Sequence, residues 1–354
     1  MLLIVKIGSN LIQTEQGDID LEFISRLARE VKVLKSQGDK VLIVSSGAVL
    51  CGIKKLGLSK KPEDLTTKQA LAGIGQAYLM RIYDSTFSNY GLVVAQVLLT
   101  NDVFKDPVKF QSAKNTLEKM LELSVVPIIN ENDTVAISEL IFGDNDFLAV
   151  YTAFMMEANL IVLYSSAGGL LDHEGMVIPE IKDVGQAMVY IRKEKSMYGS
   201  GGMYSKLSAS AIASSLGIPV FITGKSQSLL DVVNNNAVGT LIKPSTKPLK
   251  HSKRLMAMME ETRGAVYIDE GAYRALKEGK SLLPAGIKRV EGYFQRGDLV
   301  SVKLLDGMLV GKGRVNFSSE ELSRVMGMKG EEVKKALNTQ KEEAIHRDKL
   351  VIFF

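Results

Sequence analysis

Lys6 is the first residue in this chain that invites a chemical interpretation. It closes the apolar run Leu2-Leu3-Ile4-Val5 and is followed by Gly8-Ser9. A cation at the end of a buried strand is costly unless an anion meets it. Snorkelling to the surface is the alternative, but the bare N–H groups of Gly8 and Ser9 favour an anion. Ser45-Ser46-Gly47-Ala48 places hydroxyls and a glycine where a strand gives way to a helix, which makes either an anion site or an ordinary N-cap. Asn130-Glu131-Asn132-Asp133 and Gly143-Asp144-Asn145-Asp146 frame a hairpin-like piece over 134–141. They are plain turns, or together they supply donors and acceptors for a small zwitterion. Ser200-Gly201-Gly202-Met203-Tyr204-Ser205-Lys206 is a glycine-rich loop opening a helix. Its N–H groups could cradle phosphates, with Lys206 neutralising charge.

These groups need elements to carry them. Apolar runs at 2–7, 41–44, 92–99, 125–129, 160–164 and 218–222 predict strands. Helical spacing predicts helices over 20–37, 66–88, 109–123, 145–157 and 203–216. Continuous apolar strands alternating with helices predict an α/β fold, an open, mostly parallel sheet sandwiched by helices. Ligands then bind outside the carboxyl ends of the strands. That rule gathers Lys6, Ser46, Gly47, Asn130 to Asp133, Ser165 and Ser166 around one crevice. Lys243-Pro244-Ser245-Thr246-Lys247-Pro248 looks like a linker. Beyond it, shorter alternating runs and turn pairs predict a small β-rich domain. The expected division is 1–250 and 262–354.

Composition narrows the function classes. The chain has 354 residues, 46% of them hydrophobic, enough for two cores and against global disorder. One cysteine, Cys51, cannot close an intrachain disulfide and suggests the cytoplasm. With three scattered histidines, a Cys/His zinc site is not expected, and no metal ligands are assigned from the protein. A metal here is expected to be a hard cation such as Mg²⁺ riding on phosphates. No membrane span or signal peptide is expected. Residues 262–354 hold 17 basic against 13 acidic side chains, an excess of four that equals the whole net charge. Neither a P-loop, a dinucleotide fingerprint nor a protein-kinase signature is present.

Taken in order, "VKIGSN", "IVSSGAV", "KQALAGIGQ", "QVLLT", "VVPIINENDTVA", "FGDND" and "GSGGMYSKLSAS" resemble the glutamate 5-kinases of the amino-acid kinase family, essentially over the whole chain. "SLLPAGI", "RGD" and "AIHRD" are similar to the PUA domain that many such kinases append. The resemblance implies a transferase that phosphorylates the side-chain carboxylate of L-glutamate with ATP and Mg²⁺, the first step of proline biosynthesis. It further implies feedback inhibition by L-proline and a homo-oligomer (dimer or tetramer), and the instability of the acyl phosphate product points to a transient glutamyl phosphate reductase partner. RNA binding through the PUA-like domain is left open. Carried over by residue, Lys6 and Lys206 flank the transferring phosphoryl group and Asp146 orients them. Ser46, Gly47, Asp133 and Asn145 hold glutamate. Lys6, Ser165, Ser166 and the loop from Ser200 to Lys206 bind the nucleotide. Ser165-Ser166 departs from the Thr/Ser-Asp pair usual after the strand ending at Tyr164, and the segment 167–179 is shorter than usual. Two alternatives remain: a family member acting on acetylglutamate, aspartate or carbamate, against which "INEND" and "GDND" speak, and an RNA-binding or regulatory protein that kept the fold.

Overall fold

The computed structural model describes the chain apart from residues 15, 59–61, 136–144, 192–201, 247, 259–261 and 354. It divides into two compact units, Met1–Ser245 and Thr246–Phe354.

The first unit runs β1 (Leu2–Ile7), α1 (Leu21–Ser36), β2 (Lys40–Ser45), α2 (Ala48–Leu56), α3 (Leu65–Ser88), β3 (Val94–Leu99), α4 (Asn101–Lys105), α5 (Pro107–Glu122), β4 (Val126–Glu131) and α6 (Asn145–Met156). It continues with β5 (Leu160–Tyr164), β6 (Glu180–Ile181), α7 (Val184–Ala187), α8 (Met203–Leu216), β7 (Val220–Thr223), α9 (Leu229–Val233) and β8 (Gly239–Ile242). Local chemistry sets several of these boundaries. Asp20 caps α1 by accepting from the Phe23 N–H at 2.9 Å. Asp106 caps α5, whose first residue is Pro107, where a missing N–H costs nothing.

Among the described residues the sheet order is β3-β4-β2-β1-β5-β7-β8-β6. The six strands from β3 to β7 are parallel; β8 runs antiparallel to β7, and β6 pairs parallel with β8. β1 is the central strand. It pairs with β2 on one side (Leu3↔Val41) and β5 on the other (Leu3↔Leu160). The chain first builds outward through β2, β4 and β3, then returns across β1 to β5. The carboxyl end of β1 is therefore the switch point, where such sheets bind ligands.

Leu3, Val5 and Ile7 join one core with the apolar face of α1, including Phe23, Ile24, Leu27 and Val31, and with Leu79, Tyr83 and Phe87 of α3. Burying each large aliphatic side chain contributes about 1.5–3 kcal/mol. Strand alternation turns Lys6 to the opposite face. Helices α2 and α3 cross without room for side chains. A Cβ at Gly75 would lie 1.8 Å from the Ala48 carbonyl oxygen, and one at Gly52 would lie 2.1 Å from that of Leu71. The crossing pins the start of α2 against α3.

The second unit comprises α10 (His251–Met258), β9 (Gly264–Ile268), α11 (Glu270–Lys277), β10 (Ile287–Gly292), β11 (Leu299–Leu304), β12 (Leu309–Arg314), α12 (Ser319–Val325), α13 (Gly330–Leu337) and β13 (Leu350–Ile352). Its sheet order is β10-β9-β11-β12-β13, antiparallel except where β11 runs with β9. The expected β-rich character is present, with short helices α11 to α13 added. Sequence patterning did not separate these from turns, because each spans only two turns of helix.

Candidate active site

Three buried charges occupy the switch point. Lys6 Nζ stands 2.6 Å from Asp146 Oδ1, and Lys206 Nζ stands 3.0 Å from Asp146 Oδ2. Relative exposures are 2% for Lys6, 0% for Asp146 and 5% for Lys206. Each comes from a different element: the carboxyl end of β1, the first turn of α6 and the first turn of α8. Burying an ion is costly, and sharing one carboxylate between two ammonium groups offsets part of that cost. A Cβ at Gly8 would meet Lys6 Nζ at 3.8 Å, an ordinary contact, so the backbone at Gly8 passes beside the amine.

Helix starts add to this field. α6 and α8 both begin at the cluster, and the unpaired N–H groups of a helix start favour anions. Gly202 precedes α8 with no side-chain cap, and a Cβ there would meet nothing within 4 Å. Of the expected phosphate loop, Gly202, Met203, Tyr204, Ser205 and Lys206 lie at this helix start, and Ser200 and Gly201 lie outside the described residues. So do Gly143 and Asp144, and residues 136–141 of the expected hairpin.

Beside the charges lies a network of amides and hydroxyls. Asn145 Nδ2 donates to Ser46 Oγ at 2.9 Å and to Asn130 Oδ1 at 2.9 Å, and lies 3.2 Å from the Ser45 carbonyl oxygen. Because Ser46 Oγ accepts from Asn145, its own proton remains available for another acceptor. Gly47 has φ +108°, and a Cβ there would press to 3.2 Å from Ile12 Cδ1. Glycine therefore makes the turn that brings Ser46 to Asn145. Ser45 Oγ is 2.9 Å from the Tyr83 hydroxyl, which ties the end of β2 to α3.

Asp133 follows β4 and is half-buried. Burial pushes its carboxyl pKa up from the ordinary aspartate value. The structure shows no hydrogen bond between Asp133 and Asn145 or Ser46. Ser165 and Ser166 follow β5. Ser165 is buried, its Oγ accepting from the Ala167 N–H at 3.3 Å, while Ser166 is exposed. Neither bonds to the lysines or to Asp146. The short segment after them closes tightly, with Asp172 Oδ1 accepting from the N–H groups of Glu174 and Met176 at 2.9 Å each.

The sequence places Asn130 among the crevice groups without a partner, and Gln76 only as the last residue of the KQALAGIGQ motif, with no role of its own. Asn130 Oδ1 accepts from both Asn145 and its neighbour's N–H, Glu131 N, at 2.9 Å each, and its Nδ2 donates to Gln76 Oε1 at 2.9 Å. Gln76 is 7% exposed on a face of α3 that otherwise carries Ala72, Gly75 and Leu79. A lone amide in that apolar face was the available signal.

Comparison with known proteins agrees with this geometry. The amino acid kinase family model matches residues 1–224, and the PUA domain model matches residues 264–337. The chain is 56% identical to the glutamate 5-kinase of Aquifex aeolicus (strain VF5), over 100% of both chains. It is 37% identical to the glutamate 5-kinase of Thermoanaerobacter sp. (strain X514), over 99% of this chain and 98% of that one. The structure of a carbamate kinase from Giardia lamblia bound to AMP-PNP superposes with a TM-score of 0.50 at 15% identity, covering 69% of this chain and 98% of that one, a likeness of fold. With a buried Lys–Asp–Lys cluster at the switch point of a parallel sheet and these relatives along its full length, the chain belongs to the amino acid kinase family, among the glutamate 5-kinases, and is a phosphotransferase that also carries a PUA domain.

Proposed function

We propose that the protein transfers the γ-phosphoryl group of ATP to the side-chain carboxylate of L-glutamate, giving L-glutamyl 5-phosphate and ADP. The observation that carries this reading is the shared carboxylate of Asp146 between Lys6 and Lys206, with Ser46 and Asn145 alongside. A carboxylate nucleophile has an ordinary pKa near ~4.3 and is ionised at neutral pH, so no general base is required. The obstacle is bringing one anion against another. In this reading Lys6 and Lys206 flank the moving phosphoryl group and Asp146 holds both ammonium groups in place. The donor–phosphorus bond breaks as the carboxylate oxygen bonds to phosphorus, and electrostatic stabilisation with positioning supplies most of the rate. Ser46, Gly47, Asp133 and Asn145 hold glutamate. The starts of α6 and α8, Ser165, Ser166 and the loop from Ser200 hold the nucleotide.

No group of three or more His, Cys, Asp or Glu able to hold a metal occurs among the described residues. In this reading Mg²⁺ is carried in on the nucleotide phosphates, where it would neutralise their charge. The same reading assigns residues 1–250 to catalysis and 262–354 to the PUA-like domain. It makes the protein a cytoplasmic homo-oligomer at the first step of proline biosynthesis, with L-proline as feedback inhibitor and RNA as a candidate ligand of the PUA-like domain. The acyl phosphate product is labile, which calls for a reductase that consumes it. The test is ATP- and Mg²⁺-dependent phosphorylation trapped with hydroxylamine. Hydroxamate formed with glutamate, and not with aspartate or acetylglutamate, is the expected result; no product from folded protein would overturn it.

A further inference from the structure

We infer that Gln76 is a positioning residue for the acceptor side of the site, acting through Asn130 on Asn145. This inference rests on the proposed glutamate kinase activity and adds a residue that touches neither substrate nor the reacting atoms in that reading. Hydrogen-bond polarity sets the orientation of the Asn130 amide. Asn130 Oδ1 accepts from Glu131 N and from Asn145 Nδ2, so its oxygen must face the site and its amide nitrogen must face α3. Gln76 Oε1 is the acceptor waiting there, 2.9 Å from Asn130 Nδ2, inside a region closed to solvent. Turning Asn130 over would set its NH₂ against two donors and its oxygen against Gln76 Oε1, an arrangement with no hydrogen bonds. Gln76 thereby selects the one amide orientation that lets Asn130 receive Asn145, and Asn145 in turn holds Ser46 Oγ.

The anchor itself is fixed. Gln76 lies next to Gly75, whose missing side chain lets α3 press on the start of α2, and about two turns along the same face from Tyr83, which is bound to Ser45. One helix thus grips both the turn carrying Ser46 and the strand end carrying Asn130. Gln76 Nε2 is buried with no hydrogen-bond partner among the described residues, so Oε1 alone ties this side chain to the network. Among the described residues Gln76 makes no hydrogen bond of its own to Lys6, Asp146 or Lys206, and its path through Asn130 ends on the Asn145 amide that holds Ser46, so its effect is expected chiefly in acceptor binding.

Steady-state kinetics of Gln76→Met and Gln76→Glu test this, with wild-type hydroxamate formation as the control. Met keeps the shape and removes the acceptor; Glu keeps Oε1. Gln76→Met is expected to raise the glutamate KM about tenfold, the usual effect of leaving one buried donor unpaired, with the ATP KM and kcat changed less than about threefold. Gln76→Glu is expected to stay within about threefold of wild type in glutamate KM. Equal rises in both KM values, or an unchanged glutamate KM in folded Gln76→Met, would overturn the inference. If Gln76→Met does not fold, Gln76→Glu decides alone: a tenfold rise in its glutamate KM overturns the role of Oε1 and near wild-type behaviour supports it. Failure of the wild type to form hydroxamate would instead remove the parent activity.

Discussion

Asp146 Oδ1 lies 2.6 Å from Lys6 Nζ, and that carboxylate has no solvent exposure. Its other oxygen faces Lys206, so one buried group compensates two. Asp146→Asn removes the carboxylate that lies between the two ammonium groups, and breaking a buried ion pair in this way costs about 3 kcal/mol or more. The variant is expected to melt well below wild type, and ATP is expected to raise its Tm by more than it raises that of wild type. Equal nucleotide-induced shifts would show that Asp146 is not the counter-charge.

Lys206→Ala is expected to lower kcat by about a hundredfold or more, with a smaller change in glutamate KM, because an electrostatic group acting on the transition state appears chiefly in kcat. Initial-rate kinetics at saturating ATP measure this. An unchanged kcat would remove Lys206 from the transferring phosphoryl group.

Ser46→Ala deletes the hydroxyl that accepts from Asn145 and could donate to a substrate oxygen. The glutamate KM is expected to rise about tenfold, as for one lost hydrogen bond to a charged group. The ATP KM should be unaffected. Isothermal titration of glutamate and nucleotide in separate experiments distinguishes the two ligands.

Asp133 carries a pH dependence of opposite sign to a salt-bridged aspartate. Burial raises its folded pKa above the unfolded value near 3.8, so between the two values the folded chain binds more protons. Stability from this group therefore falls as pH rises through that window, and the ionised side chain is a burden at neutral pH. Asp133→Asn is expected to raise the Tm at pH 7 while impairing glutamate binding. The gain should vanish as pH falls to about 3.8 and below.

In the second unit, Glu321 is held down to about 2, first by hydrogen bonds from Arg296 and also by the Ser318 N–H of a capping box. Its folded pKa is depressed from 4.5, so its stabilisation is present above 4.5 and is lost as pH falls towards 2. The group is partly exposed, which limits the contribution to about 1 kcal/mol. Glu321→Gln should lower the urea midpoint at pH 7, and the difference from wild type should close as the medium is acidified.

The legible part of the site was the part that broke a local rule. Lys6 interrupts an apolar strand, and Gly201-Gly202 open the helical pattern that carries Lys206, so both stand out from sequence alone. The strand carrying Lys6 was equally plain, because continuous apolar runs admit few alternatives. Asp146 drew its role from family resemblance, since its partners lie 140 residues before it and 60 after it, and no local pattern encodes such a meeting. Gln76 was silent because an isolated glutamine in a helix is ordinary until its neighbour in space is known. Helices α11 to α13, seven or eight residues each, are shorter than the window in which helical periodicity emerges.

The central position of β1 also governs how the chain comes together as it is made. Its β2 neighbour follows within forty residues, but its other neighbour, Leu160 beside Leu3, is more than 150 residues away. Until the ribosome has released β5, the strand destined for the middle of the sheet is an open edge of Leu3, Ile4 and Val5. Such an edge invites pairing with a second nascent chain. Expression of fragments ending before residue 160 should therefore yield aggregates, and speed of synthesis through α6 becomes a determinant of yield.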